Sequence, residues 1–116
     1  MRQLTTELVD NGDYTWTLKV IGIVDSDTRH LMWSVESSQV LLAKLVEAKA
    51  TKLSIDLALA EQFDSHGLRL LLNAQREFRK ENVEIILKNP NSHLKRLFQI
   101  MLFDRVFTIE FNEEQH

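Results

Sequence analysis

Apolar and polar residues alternate along YTWTLKVI. Tyr14, Trp16, Leu18 and Val20 fall on one side and Thr15, Thr17 and Lys19 on the other. A period of two marks a strand with one buried face. Residues 3–9 read as another strand, and Asn11-Gly12 within DNGD is a hairpin signal. The first two strands are therefore expected to be antiparallel neighbours. Further on the period changes. Leu31, Val35, Leu42, Leu45 and Val46 recur near helical spacing, with Asp27 or Thr28 placed to cap. This predicts a long helix, irregular around Ser37-Ser38. KLSIDL, 52–57, alternates again through Leu53, Ile55 and Leu57, and a helix follows over about 65–80. VEIILK, 83–88, is a β-branched run suited to a buried strand. Pro90 in KNPNS marks a turn. Asn91 or Ser92 then opens a third helix with Leu94, Leu97, Phe98 and Met101 on one stripe. VFTIEF, 106–111, reads as the last strand.

The element order is β-β-α-β-α-β-α-β. Strands separated by helices imply right-handed parallel crossovers. The expected fold class is α/β: one domain over residues 1–116, with a mixed sheet of four or five strands and three or more helices packed on it. Chain order leaves open whether the helices cover one face or both.

Composition narrows the function classes. With 116 residues and 44% hydrophobic content, one core can hold the fold. The chain has no cysteine, which excludes disulfides and thiolate metal sites and fits a reducing, cytoplasmic compartment. No charged-then-apolar leader opens it, and its apolar runs fall far short of the roughly 20 residues that span a bilayer. No membrane partner is expected. A formal net charge of −3 gives no basic field for nucleic acid. His30, His66, His93 and His116 lack metal-ligand spacing, so no metal or cofactor is expected. Asp25 to Asp27, DSD, opens like a calcium loop but lacks its glycine and distant glutamate. REFRK, 76–80, reads as a solvated helix face, and Trp16 and Trp33 as core residues.

The chemistry-bearing stretch is EQFDSHGLRLLL, Glu61 to Leu72. On a helix from Ser65, at about 100 degrees per residue, Gly67, Leu71, Ala74 and Phe78 share one face with Leu70 beside it. Leu68 and Leu72 fall on its flank next to Arg69, Gln75 and Arg76, where they are expected to be partly exposed. Ser65 stands at or near the N-cap, where its oxygen can accept a backbone N–H. A catalytic serine needs a base within hydrogen-bond reach. His66 is its sequence neighbour, and neighbours on a helix do not face each other. No G-x-S-x-G elbow is present either, so an enzyme is not expected. Capping and covalent modification both remain open for Ser65.

Residues 53–109 resemble the STAS domain, the fold of bacterial anti-sigma factor antagonists. The family motif is a strand ending in Asp-Leu, a short apolar corner, then Asp-Ser-Ser-Gly-Leu opening a helix. Asp56, Leu57, Asp64, Ser65, Gly67 and Leu68 stand at those positions, with His66 replacing the second serine. Gly22 and Asp25 resemble the family's Gly-x-x-Asp corner, and NPNSHLKRLFQIMLFDRVF is similar to its closing helix and strand. The resemblance implies a non-enzymatic phosphoprotein of bacterial transcription regulation, acting by partner switching. Ser65 would be phosphorylated by a kinase that is also an anti-sigma factor, and a phosphatase would reverse this. Asp25, Ser26, Thr28, Asp64, His66, Leu68, Arg69 and Leu72 would form the partner surface. The alternative it implies is a STAS accessory subunit docked on the ATPase of an ABC-type lipid transporter, a branch whose motif carries threonine and glycines.

Overall fold

The computed structural model describes residues 4–24 and 35–111. Strand β1, Leu4–Gly12, pairs antiparallel with β2, Thr15–Val24, in the register Leu8 opposite Leu18 and Thr6 opposite Val20. The reversal is not built on Asn11-Gly12. Gly12 pairs with Thr15 after a register shift at Asp10, and the two corner residues are Asp13 and Tyr14, at φ +52 and +61. Positive φ at both central residues is what a tight hairpin's twist requires. The shift moves Tyr14 out of the strand, so it is 63% exposed and not on the buried face.

Helix α1, Val35–Glu47, follows and runs unbroken through Ser37-Ser38. Leu45 is its buried anchor, Leu41 and Leu42 pack against the core, and Val46 is exposed. The expected caps Asp27 and Thr28, with Leu31 and Trp33, lie outside the described residues. Trp16 is half-buried against the core, with the Lys44 ammonium 5.8 Å from its ring centroid.

Strand β3, Lys52–Asp56, lies parallel to β2, and β5, Glu84–Lys88, lies parallel to β3 on its other side. Between β3 and β5 the chain forms β4, Ala60–Phe63, and α2, Ser65–Lys80. After β5 come α3, Ser92–Ile100, a single 3-10 turn at Phe103–Arg105, and β6, Thr108–Glu110, parallel to β5. The sheet order is β1-β2-β3-β5-β6, with β4 also pairing with β2. The sheet is therefore mixed as expected, and among the described residues it has six strands because β4 adds one.

One hydrophobic cluster settles which face the helices cover. Leu45 of α1, Leu71 and Phe78 of α2, and Leu94 and Phe98 of α3 share it with Leu18, Ile55 and Leu87, three residues in one cross-strand row. The alternate row, Thr17, Ser54 and Ile86, is absent from it. The three helices among the described residues pack on one side. Phe98 stacks on Phe103 at 5.3 Å, and Phe103 meets Phe107 at 5.4 Å, which closes the core beneath α3. Met101, expected on the same stripe, is the helix C-cap and is 43% exposed. The last strand is shorter than expected because Val106 and Phe107 belong to the turn before it.

Candidate functional site

The corner at Ser65 is placed by a break in the third strand. β3 stops at Asp56, whose Oδ1 accepts the Ala58 N–H at 3.0 Å. Ala60 N then donates to Leu57 O at 3.1 Å, and the chain turns back into line as β4. β4 runs along the second half of β2, with Ile23 opposite Gln62 and Val24 opposite Phe63. The register slips between Gly22 and Ile23, and Gly22 takes φ +108, a conformation that a side chain would resist. Asp64 N donates to Val24 O at 2.9 Å and ends the pairing. The corner is thus tied to the residue that precedes Asp25. Sequence reading missed β4: AEQF buries only its end residues, so neither period shows.

Asp64, not Ser65, is the N-cap of α2. Its backbone is extended, at φ −88 and ψ 178, and its Oδ1 accepts the Gly67 N–H at 2.9 Å. A short carboxylate in that conformation reaches the third helical N–H directly. Ser65 is the first helical residue and is exposed. No hydrogen bond ties its hydroxyl among the described residues. Of the two roles left open for Ser65, capping therefore falls to Asp64, which is half-buried and a structural residue first.

Gly67 faces inward as expected. A Cβ there would lie 2.7 Å from Val24 Cγ1 and 3.1 Å from Phe63 Cδ2. Leu68 does not lie on the flank. It is 1% exposed, and Gln75 is 6% exposed. The buried stripe of α2 runs over Gly67, Leu68, Leu71, Ala74, Gln75 and Phe78, so it is centred on Leu71. Centring it nearer Gly67 put Leu68 and Gln75 outside. Leu68 therefore offers no partner surface. Leu72 and Leu70 border the stripe and are half-buried, and Arg69 is exposed. The side chain of His66, and the whole of Asp25, Ser26 and Thr28, lie outside the described residues.

The structure also brings in the start of α3. Asn91 caps that helix, its Oδ1 accepting Leu94 N at 2.8 Å, while its Nδ2 donates to Ala60 O at 3.1 Å. One side chain thus fastens α3 to the strand that delivers Ser65. The capping role is legible in NPNS, but the reach to β4 is not.

Chemically, an exposed hydroxyl on the first turn of a helix is open to a modifying enzyme. A phosphate there would meet the free N–H groups and positive end of α2. Arg69, four residues on, lies on the same side of the helix.

The family model described as "Mlab, STAS domain" matches residues 8–109. No curated protein matches the chain significantly. The solved structures that share the fold include the following three. SpoIIAA in its unphosphorylated form, described as an anti-sigma factor antagonist, is 20% identical over 96% of this chain and 91% of its own, with a TM-score of 0.67. The Bacillus cell fate determinant SpoIIAA in the phosphorylated form is 20% identical, with coverage of 96% and 95% and a TM-score of 0.68. An anti-sigma factor antagonist from Mycobacterium paratuberculosis is 21% identical, with coverage of 96% and 88% and a TM-score of 0.67.

Proposed function

The chain belongs to the STAS domain family, and from that premise we propose that it is a non-enzymatic, cytoplasmic regulator working by partner switching, of the anti-sigma factor antagonist type. It binds an anti-sigma/serine-kinase partner while Ser65 is unphosphorylated and releases it once Ser65 carries phosphate. A phosphatase resets it. One observation carries this reading: Ser65 is exposed on the first turn of α2 while Asp64 does the capping. Its hydroxyl is therefore not needed for the fold and is accessible to a kinase. The fold it shares with SpoIIAA, solved both without and with phosphate, supports the same reading.

Phosphate would add about −1.5 to −2 charges beside the Asp64 carboxylate. The helix end tolerates that charge; a partner surface that must desolvate it does not. The switch is then local electrostatics at an interface. Arg69 and the half-buried Leu72 extend this surface along α2, and Asp25, Ser26, Thr28 and His66 are proposed members of it. Incubation with the cognate kinase and ATP, followed by mass-spectrometric mapping, is expected to place phosphate on Ser65. Phosphate elsewhere, or none, overturns the assignment.

The matching family model is not one named for sigma-factor control. That keeps a second reading, in which the same corner docks on a transporter ATPase. Kinase or sigma genes beside this one favour switching; transporter genes favour docking.

A further inference from the structure

Four of the nine exposed large apolar side chains among the described residues fall in one short stretch, the end of α3 and the turn after it. Ile100 is 69% exposed, Met101 43%, Leu102 51% and Val106 39%. Ile100, Met101 and Leu102 are consecutive, and such a run in solvent does nothing for the core. Helical phase sets its direction. Leu94 and Phe98 are the buried residues of α3, and Ile100, about 200 degrees round from Phe98, points away from them. Leu102 is the more telling residue. It follows the C-cap Met101 and takes φ +59, the left-handed conformation in which helices ordinarily place glycine. Glycine would hold this backbone with less strain and expose no apolar surface, so folding alone does not account for a leucine.

The surroundings of this tip are mainly basic. Residues 92–106 hold Lys95, Arg96 and Arg105 against the single acid Asp104, in a chain of net charge −3. Arg96 lies one turn before Ile100 on the same outward side of α3. Val106 borders a hollow of about 510 Å³ whose other walls are Leu72, Gln75, Arg76, Arg79 and Lys80 of α2, so its charged lining is all cationic. Glu77 engages Lys80 at 3.0 Å. No ion pair among the described residues takes Arg76, Arg79, Arg96 or Arg105.

We propose that this tip docks on the surface of an anionic phospholipid bilayer. Ile100, Met101 and Leu102 enter the interface, and Arg96, Arg105, Arg76 and Arg79 meet lipid phosphates. A protruding apolar tip needs no matching pocket in a bilayer, where acyl chains close around it and headgroups meet the cations. Such a contact requires no spanning segment, and no described helix is long and apolar enough to cross a membrane. The nine residues of α3, roughly 14 Å, separate the tip from Asn91, which is tied to β4. The Ser65 corner therefore stays open to a protein partner while the tip is docked.

Co-sedimentation of the whole chain with vesicles of phosphatidylglycerol mixed into phosphatidylcholine, and with vesicles of phosphatidylcholine alone, tests this. Binding to the anionic vesicles is expected to be at least about tenfold tighter and to weaken as salt rises. Leu102→Gly should weaken it at least about fivefold with a melting temperature equal to or above that of wild type, because it removes apolar surface and relieves the left-handed leucine. Arg96→Gln should weaken it about fivefold with an unchanged melting curve, because Arg96 is exposed. Val40→Ser, at a 72% exposed apolar position on α1, is expected to bind as wild type does. Binding to neither vesicle, equal binding to both, wild-type affinity in Leu102→Gly or Arg96→Gln, or an equal loss in Val40→Ser overturns the proposal. So does self-association that Leu102→Gly abolishes in a chain that binds no vesicle, which would assign the tip to a second copy.

Discussion

At the residue scale, the corner separates fold from function side chain by side chain. Asp64→Ala removes the cap and is expected to cost about 0.5–2 kcal/mol. Ser65→Ala removes an exposed hydroxyl that caps nothing, and should stay within about 0.5 kcal/mol of wild type. Parallel urea melts check both; equal losses would mean that Ser65 shares the capping. Gly67→Leu is expected to cost about 1–3 kcal/mol by overpacking, because even a Cβ would come within 2.7 Å of Val24 Cγ1. An unchanged melting temperature would show that the approach is not tight. Leu68→Ala should cost about 2–5 kcal/mol, as a buried leucine does, and Leu72→Ala markedly less. The inward glycine was legible in the sequence because helical phase fixes it relative to Leu71 and Phe78. The burial of Leu68 was not. A 40-degree error in the centre of the stripe moves a leucine from flank to core, and hydrophobicity alone cannot tell which.

At the element scale, the long periodic segments were legible and the junctions were not. The helices α2 and α3, the hairpin pair and the parallel strands β3 and β5 follow from period and from Gly, Pro and Asn punctuation. β4 was hidden because it is four residues long with exposed Glu61 and Gln62 between its buried ends. The hairpin corner slipped to Asp13-Tyr14 because Gly12 was used at the register shift. A further pattern emerges only once register is known. Glu7, Lys19, Asp56, Lys88 and Glu110 are successive cross-strand partners, alternating in sign across the whole sheet. They lie on the face away from the helices, where opposite charges side by side each contribute roughly 0.2–1 kcal/mol. Lys19→Glu sets like charges against both Glu7 and Asp56. It is expected to destabilise the chain by about 1 kcal/mol at low salt and less at high salt. A loss that salt leaves unchanged would mean packing, not charge, holds Lys19.

At the scale of the whole molecule, the two ends of α2 do different things. Its N-terminus is fixed by Asp64 and Gly67 against β2, which leaves Ser65 outside; its second half is fastened through Gln75 to the turn before β6. A charge added at Ser65 should therefore change what binds the molecule without changing whether it folds. Titration of the cognate kinase partner against wild type, Ser65→Ala and Ser65→Asp, with melting curves of all three, tests this most directly. The account predicts superimposable melting curves, wild-type affinity for Ser65→Ala, and binding by Ser65→Asp weakened at least about tenfold by desolvation of its charge. Wild-type affinity in Ser65→Asp, or loss of binding in Ser65→Ala with the fold intact, would contradict it.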